Sequence, residues 1–244
     1  MKYFLLALQF LTVFPVDTHE KPSHKDFGRA LAYFPVVGLC IGLLLVLVLL
    51  VFNFLPQAVI AALLLIVCAA ITGGLHLDGF IDTCDGLGAG KTPEESLEIM
   101  HSSTTGAIGV VAIVLLLILK YTIFISIPDN VLWKLLILMV VFARWIQVWT
   151  CFFSKYVRED GKAKHFVEQA AKEEVKTGLI FTVCAFVLLL GIKGLVLFFV
   201  SLMPVYVFVN WIEKKIGGMT GDTIGAVSEA AEISLLLFGL MLVG

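Results

Sequence analysis

The chain is a succession of long apolar runs, each broken by a polar segment, and no water-soluble core can absorb that many of them. The runs lie at residues 30–53, 57–75, 106–127 and 131–153, then from Thr177 to Ile212, with a last one ending at Gly244. A helix needs about 20 apolar residues to cross a bilayer. The Thr177–Ile212 run is too long for one crossing, and Gly191-Ile192-Lys193-Gly194 divides it in two. Only 15% of the residues are charged and 60% are hydrophobic, against about 25% charged in soluble domains. Lipid is therefore the expected solvent. The reading is an all-α, polytopic helical bundle embedded in a membrane as a single domain over residues 1–244, with about seven spans.

Residues 3–16 are apolar but too few to span, and they suit a short re-entrant or interfacial helix. The opening has Lys2 and an apolar stretch but ends in Phe14-Pro15-Val16 rather than a small-residue cleavage site, so it is kept as part of the mature chain. Pro35 falls in the first turns of the first span, where a missing N–H costs least. Breaks at Leu55-Pro56 and Pro128-Asp129-Asn130 separate neighbouring spans.

If the spans alternate, the polar stretches 17–29, 76–105, 154–176 and 213–229 share one face. Twelve of the 17 lysines and arginines lie there, from Lys21, Lys25 and Arg29 to Lys214 and Lys215. Opposite loops hold Lys193, with Lys134 just inside its span. Positive residues concentrate on cytoplasmic loops, so the chain is expected in the cytoplasmic membrane with this face toward the cytoplasm. A net charge of −2 argues against a nucleic-acid surface. All of the five cysteines but Cys84 fall in apolar runs and no CxxC pair occurs, so neither a disulfide framework nor a zinc site is indicated.

The sharpest chemical signal is Gly73-Gly74-Leu75-His76-Leu77-Asp78-Gly79-Phe80-Ile81-Asp82-Thr83-Cys84-Asp85-Gly86. Asp78, Asp82 and Asp85 stand at i, i+4 and i+7, one face of a helix. Like charges at that spacing repel, and beside a membrane they are also poorly solvated. A bound cation reverses the cost. Carboxylate oxygens without soft ligands select a hard ion, of which Mg²⁺ with substrate phosphates is the usual case. The plainer alternative is a solvated helix end at the interface.

A second stripe runs Thr220-Gly221-Asp222-Thr223-Ile224-Gly225-Ala226-Val227-Ser228-Glu229-Ala230-Ala231-Glu232, with Asp222, Glu229 and Glu232 on one face. Glu229 and Glu232 are read at the head of the last apolar helix, where the dipole alone would favour negative charge. Two acidic stripes on one membrane face can hold two metal ions, or one ion and a general base. Arg144 lies mid-span, where a guanidinium calls for a phosphate or carboxylate partner or forms a structural bridge to one of the acids. Tyr156 and Arg158 follow that span at the charged face, placed for phosphate contact or, for Arg158, for snorkelling. His76 is a candidate donor beside the first stripe.

These residues, with Phe10-Leu11-Thr12, Pro15, Phe34-Pro35-Val36-Val37-Gly38, Gly42, Glu98-Ile99-Met100, Gly106-Ala107, Gly109, Ala143-Arg144-Trp145 and Gly161, give the chain an end-to-end resemblance to the cobalamin synthase family, the adenosylcobinamide-GDP ribazoletransferases. The resemblance implies the last assembly step of cobalamin synthesis, dependent on Mg²⁺. A ribazole hydroxyl would attack the cobinamide-linked phosphate and expel GMP. It implies Asp82, Asp85, Asp222 and Glu229 as catalytic residues. Substrate contacts would come from His76, Arg144, Tyr156 and Arg158, and metal ligands from Asp78, Asp82, Asp85, Asp222, Glu229 and Glu232. The expected partners are a corrinoid nucleotide, ribazole or its phosphate and membrane lipid, with no nucleic acid; a homo-oligomer is compatible.

The chain departs from the family pattern at Val13, where Arg is usual. It departs again over Met100-His101-Ser102-Ser103-Thr104-Thr105-Gly106, where Met-Lys-Asp-Ser-Arg-x-Gly is usual. No role is carried onto Val13, Ser102 or Thr104. A CDP-alcohol phosphotransferase or a prenyltransferase, both users of Asp-rich helix ends, is the alternative enzyme reading; the first fits poorly, because Leu-Gly-Ala-Gly follows Asp85-Gly86. A transporter using Asp78, Asp82 and Arg144 would place its site near the bilayer midplane rather than at helix ends.

Overall fold

Inside lipid every backbone N–H and C=O must find its partner within the chain, and the apolar runs meet that demand as helices. The computed structural model describes residues 1–16, 22–102 and 104–244. Residues 17–21, including Lys21 of the charged stretch, and Ser103 of the departing motif lie outside the described residues. Among the described residues there is no strand, and twelve α-helices follow one another. They are α1 (Lys2–Leu11), α2 (His24–Ala30), α3 (Phe34–Val51), α4 (Gln57–Thr72), α5 (Leu75–Ala89) and α6 (Pro93–His101). The second half holds α7 (Ala107–Ser126), α8 (Asp129–Phe153), α9 (Lys164–Glu168), α10 (Lys172–Leu190), α11 (Ile192–Ile216) and α12 (Gly221–Val243).

The all-α polytopic bundle expected from the sequence is what forms. By length and composition five of the described helices can cross a membrane, six if α4 and α5 count as one broken span. The sequence suggested about seven. One difference is α4, which has 16 residues and stops short of the expected residue 75. Gly73 and Gly74 take φ of 60° and 69°, left-handed values that glycine adopts without steric penalty, and the chain leaves them bent by 91° into α5. The expected break at Gly191 does separate α10 from α11, but α11 then runs 25 residues to Ile216.

Helix α8 is the axis of the bundle. The most apolar stretch of α8 is 89% buried, against 28% for that of α7. Outward faces of α3, α7 and α11 expose Leu43, Leu47, Leu115, Ile118, Phe199 and Met203, as side chains do whose solvent is lipid. Between helices in lipid there is little hydrophobic drive, so close van der Waals contact matters more. Gly38 and Gly42 provide it on α3. A Cβ on Gly42 would lie 2.7 Å from Ile137 Cα, and one on Gly38 would lie 2.8 Å from the Val140 carbonyl oxygen.

The polar segments converge on one end of the bundle. Tyr156 and Met219 form an isolated bridge, Met219 N–H donates to the Lys155 carbonyl at 2.7 Å, and α2 packs on α9. At the other end Gln57 Nε2 donates to the Ile127 carbonyl at 3.3 Å. The gathering of 22–29, 73–106, 154–171 and 213–220 is thus a property of the fold as well as of the charge pattern.

The Gly42 contact yields a direct test. Gly42→Ala should force α3 off α8 and cost about 1–3 kcal/mol, the usual range for overpacking. Thermal unfolding in detergent should show a lowered midpoint; an unchanged midpoint would mean that the two helices are not in backbone contact there.

Candidate active site

The bend at Gly73-Gly74 lays α5 against the start of α12. Two glycines let the backbones touch. A Cβ on Gly79 would fall 2.7 Å from the Asp222 carbonyl oxygen, and one on Gly225 would fall 3.4 Å from His76 Cα. Thr220 caps α12: its hydroxyl accepts from Thr223 N–H at 3.2 Å, while Thr220 N–H donates to Thr223 Oγ1 at 2.8 Å. That cap fixes Asp222 in the first turn, next to the acidic face of α5.

Asp82 is half-buried and lies in the field of Asp222 and Asp78 as like charges, with Arg158 as the opposing cation. Arg158 Nη1 donates to Asp222 Oδ2 at 2.6 Å. Its Nε and Nη2 are shielded from solvent yet have no protein acceptor. A guanidinium with two unsatisfied donors suits a phosphate or carboxylate. Beside it opens a pocket of about 210 Å³, whose polar lining includes Asp78, Asp222, Tyr156, Arg158 and Lys162.

The expected ligand set is divided by the fold. Asp78 and Asp222 line the pocket, and Asp82 stands in their field behind that lining. Asp85 does not open into this pocket and is held elsewhere. Its carboxylate accepts from Gly106 N–H at 2.7 Å and Gly109 N–H at 2.8 Å, satisfying the unpaired amides at the start of α7. Glu229 and Glu232 were placed by sequence at the head of the last helix, but α12 begins at Gly221. They lie eight and eleven residues beyond it, past the first turn in which the dipole acts.

Their charge is answered by Lys120 of α7, whose Nζ lies 2.5 Å from Glu229 Oε2 and 2.7 Å from Glu232 Oε2. Arg144 joins the same cluster, donating to Ser228 Oγ at 2.6 Å and standing 3.8 Å from Glu232 Oε1. All four ionisable side chains are buried, and two cations balance two carboxylates. Arg144 therefore has acidic and hydroxyl partners inside the bundle, and it does not line the pocket beside Arg158. His76 lies between the two regions, bordering both, with Nε2 buried and without a partner. Sequence reasoning missed Lys120, although a lone lysine in the 106–127 run is a signal of its own. Among the described residues no three His, Cys, Asp or Glu side chains stand close enough together to hold a metal ion by themselves.

Lys120→Met should strand two buried carboxylates, a loss of about 3–5 kcal/mol for a broken buried pair. Lys120→Met/Glu229→Gln should recover part of it. Unfolding in detergent checks this; a single variant as stable as the parent would show that the cluster carries no such charge.

A family model described as cobalamin-5-phosphate synthase matches residues 3–240. A protein of Geotalea daltonii named adenosylcobinamide-GDP ribazoletransferase is 38% identical over 238 residues, covering 97% of this chain and 96% of the relative. Proteins of the same name from Acetivibrio thermocellus and Clostridium acetobutylicum are 36% and 33% identical, over 97% and 96% of this chain and 96% and 93% of theirs. No solved structure matches the chain. A match from the first helix to the last, carrying both acidic stripes, shows that the chain belongs to the cobalamin-5-phosphate synthase family.

Proposed function

We propose that this protein carries out the final assembly step of cobalamin synthesis, transferring the adenosylcobinamide phosphate of adenosylcobinamide-GDP to ribazole or its 5′-phosphate with release of GMP. The observation that carries the reading is the meeting of Asp78, Asp82 and Asp222 beside an Arg158 that has two donors to spare. The bias of lysine and arginine supports a cytoplasmic orientation of this end, in the cell membrane.

The donor set fits Mg²⁺. It is all oxygen, and three carboxylates against one guanidinium leave it net negative. Mg²⁺ is commonly held by only one or two carboxylates together with waters and substrate phosphates, so a complete protein cage is not required. Asp82 and Asp222, with Asp78 beside them, are the residues that would hold it, and the ion would supply charge neutralisation on the pyrophosphate. Asp85, Glu229 and Glu232 have partners of their own and serve this reading by fixing α7, α8 and α12.

The chain's own residues then divide the remaining work. Arg158 orients a phosphate through Nε and Nη2 while Asp222 holds its Nη1. The nucleophilic hydroxyl oxygen forms a bond to the corrinoid-side phosphorus, the phosphoanhydride bond to GMP breaks, and the hydroxyl proton goes to a carboxylate oxygen of Asp82. Tyr156 and the 154–163 segment close the pocket over the reacting groups and keep bulk water from competing as nucleophile.

GMP release in detergent from adenosylcobinamide-GDP and ribazole tests this. Turnover should need Mg²⁺ and stop with EDTA, and Asp82→Asn should lower it by about 10²–10⁴-fold, the usual weight of a general base. Full turnover in EDTA would remove the metal from the reading, and full turnover in the folded Asp82→Asn variant would remove Asp82.

A further inference from the structure

The reaction proposed above brings together two substrates of very unequal size, and the pocket beside Arg158 has room for only one of them. Its cavity holds about 210 Å³, below the about 300–1,000 Å³ of sites that enclose drug-sized molecules, so one small, flat nucleoside is the most it can take. A nucleoside fits such a volume; a corrinoid carrying two nucleosides does not.

The pocket's lining is chemically divided. Beside the charged Asp78, Asp222, Arg158 and Lys162 it includes Phe10, Phe34 and Phe166. The ring centroids of Phe10 and Phe166 lie 4.4 Å apart, and those of Phe34 and Phe166 lie 5.3 Å apart. Phe27 backs Phe166 edge-on at 5.2 Å. Three rings held by one another make a wall that is ordered before any ligand arrives. It comes from α1, α3 and α9, elements that the charge chemistry leaves without a task.

Two further polar side chains line the pocket. Gln147 and His76 are each only 3% exposed, and Gln147 Oε1 and His76 Nε2 have no hydrogen-bond partner. Buried polar atoms are almost always paired, so two orphans in one cavity point to a ligand that carries hydrogen-bond donors as well as an aromatic face.

We propose that this pocket seats the ribazole substrate, resting on the functional reading above. The flat benzimidazole packs on Phe10, Phe34 and Phe166. The ribose lies at Gln147 Oε1 and His76 Nε2, one of its hydroxyls donating there, and the secondary hydroxyl that stays free when C5′ carries a phosphate turns to Arg158 and the carboxylates of α5 and α12. The corrinoid nucleotide approaches from the mouth and leaves only its pyrophosphate at those charged side chains. The guanine of the nucleotide is the competing occupant. Its edge carries N–H, amino and carbonyl groups that an aromatic wall leaves unpaired, which is costly on burial. A benzimidazole with apolar substituents has no such edge.

The experiment measures ribazole binding by calorimetry in detergent, without the corrinoid, and the two KM values separately. Phe10→Ala on half-buried α1 is the mild variant and Phe166→Leu the stronger one, with thermal unfolding of each as the control for folding. Both should weaken ribazole binding and raise its KM about tenfold, as loss of an aromatic contact does, while the KM for the corrinoid nucleotide stays within about twofold. Unchanged ribazole affinity in the folded Phe10→Ala protein overturns the assignment, as does a rise confined to the corrinoid KM, which would give the pocket to guanine. Wild-type protein that binds ribazole through these rings but releases no GMP would uphold the subsite and sink the functional reading, so the two can fail separately.

Discussion

Everything at the polar end depends on the backbone of α5 touching the backbone of α12. Each helix carries an acidic stripe, and like charges on two helices do not approach unless something else holds them together. Here that something is steric permission at Gly79, where any larger residue would meet the Asp222 backbone, and close packing of Gly225 on His76, together with the Thr220–Thr223 cap that starts α12 at that point. The 91° bend before α5 turns the chain out of the line of α4 and onto α12. Packing thus places Asp82 in the field of Asp222 and Asp78. An anionic group held in place by packing attracts a dication and the phosphates that come with it.

The second cluster obeys a different rule. Lys120, Arg144, Glu229 and Glu232 are buried in a part of the bundle surrounded by lipid, where an unpaired charge is expensive. They neutralise one another across α7, α8 and α12. A carboxylate that has a lysine at 2.5 Å is occupied, whereas Arg158, with two donors unspent, is available. That contrast separates the residues that hold the site from those that act in it, although both stand in the same two sequence stripes.

Much of this was legible in the sequence, and the limits have physical causes. Run lengths gave the all-α bundle, the Gly191 break and the common end of the polar segments, though not the number of crossings, because the period and length of an apolar helix are local properties. The i, i+4, i+7 spacing put Asp78, Asp82 and Asp85 on one helix, where they are. Spacing could not say that Asp85 would turn to the amides of α7, a contact 21 residues away. The start of α12 was misjudged because hydropathy rises only after Glu229, while the helix obeys the cap at Thr220. Lys120 was passed over for the same reason: an apolar average hides a single charge.

Proximity of α5 and α12 can be measured without any substrate. In a variant with the five native cysteines replaced, His76→Cys and Gly225→Cys would face each other across the contact. Oxidation in native membranes should close them into a disulfide, so that a maleimide reagent added after denaturation labels neither, and prior reduction restores the labelling. Full labelling of both cysteines after oxidation, in protein that is folded and inserted, would place the two acidic helices apart and dissolve the site they are held to form.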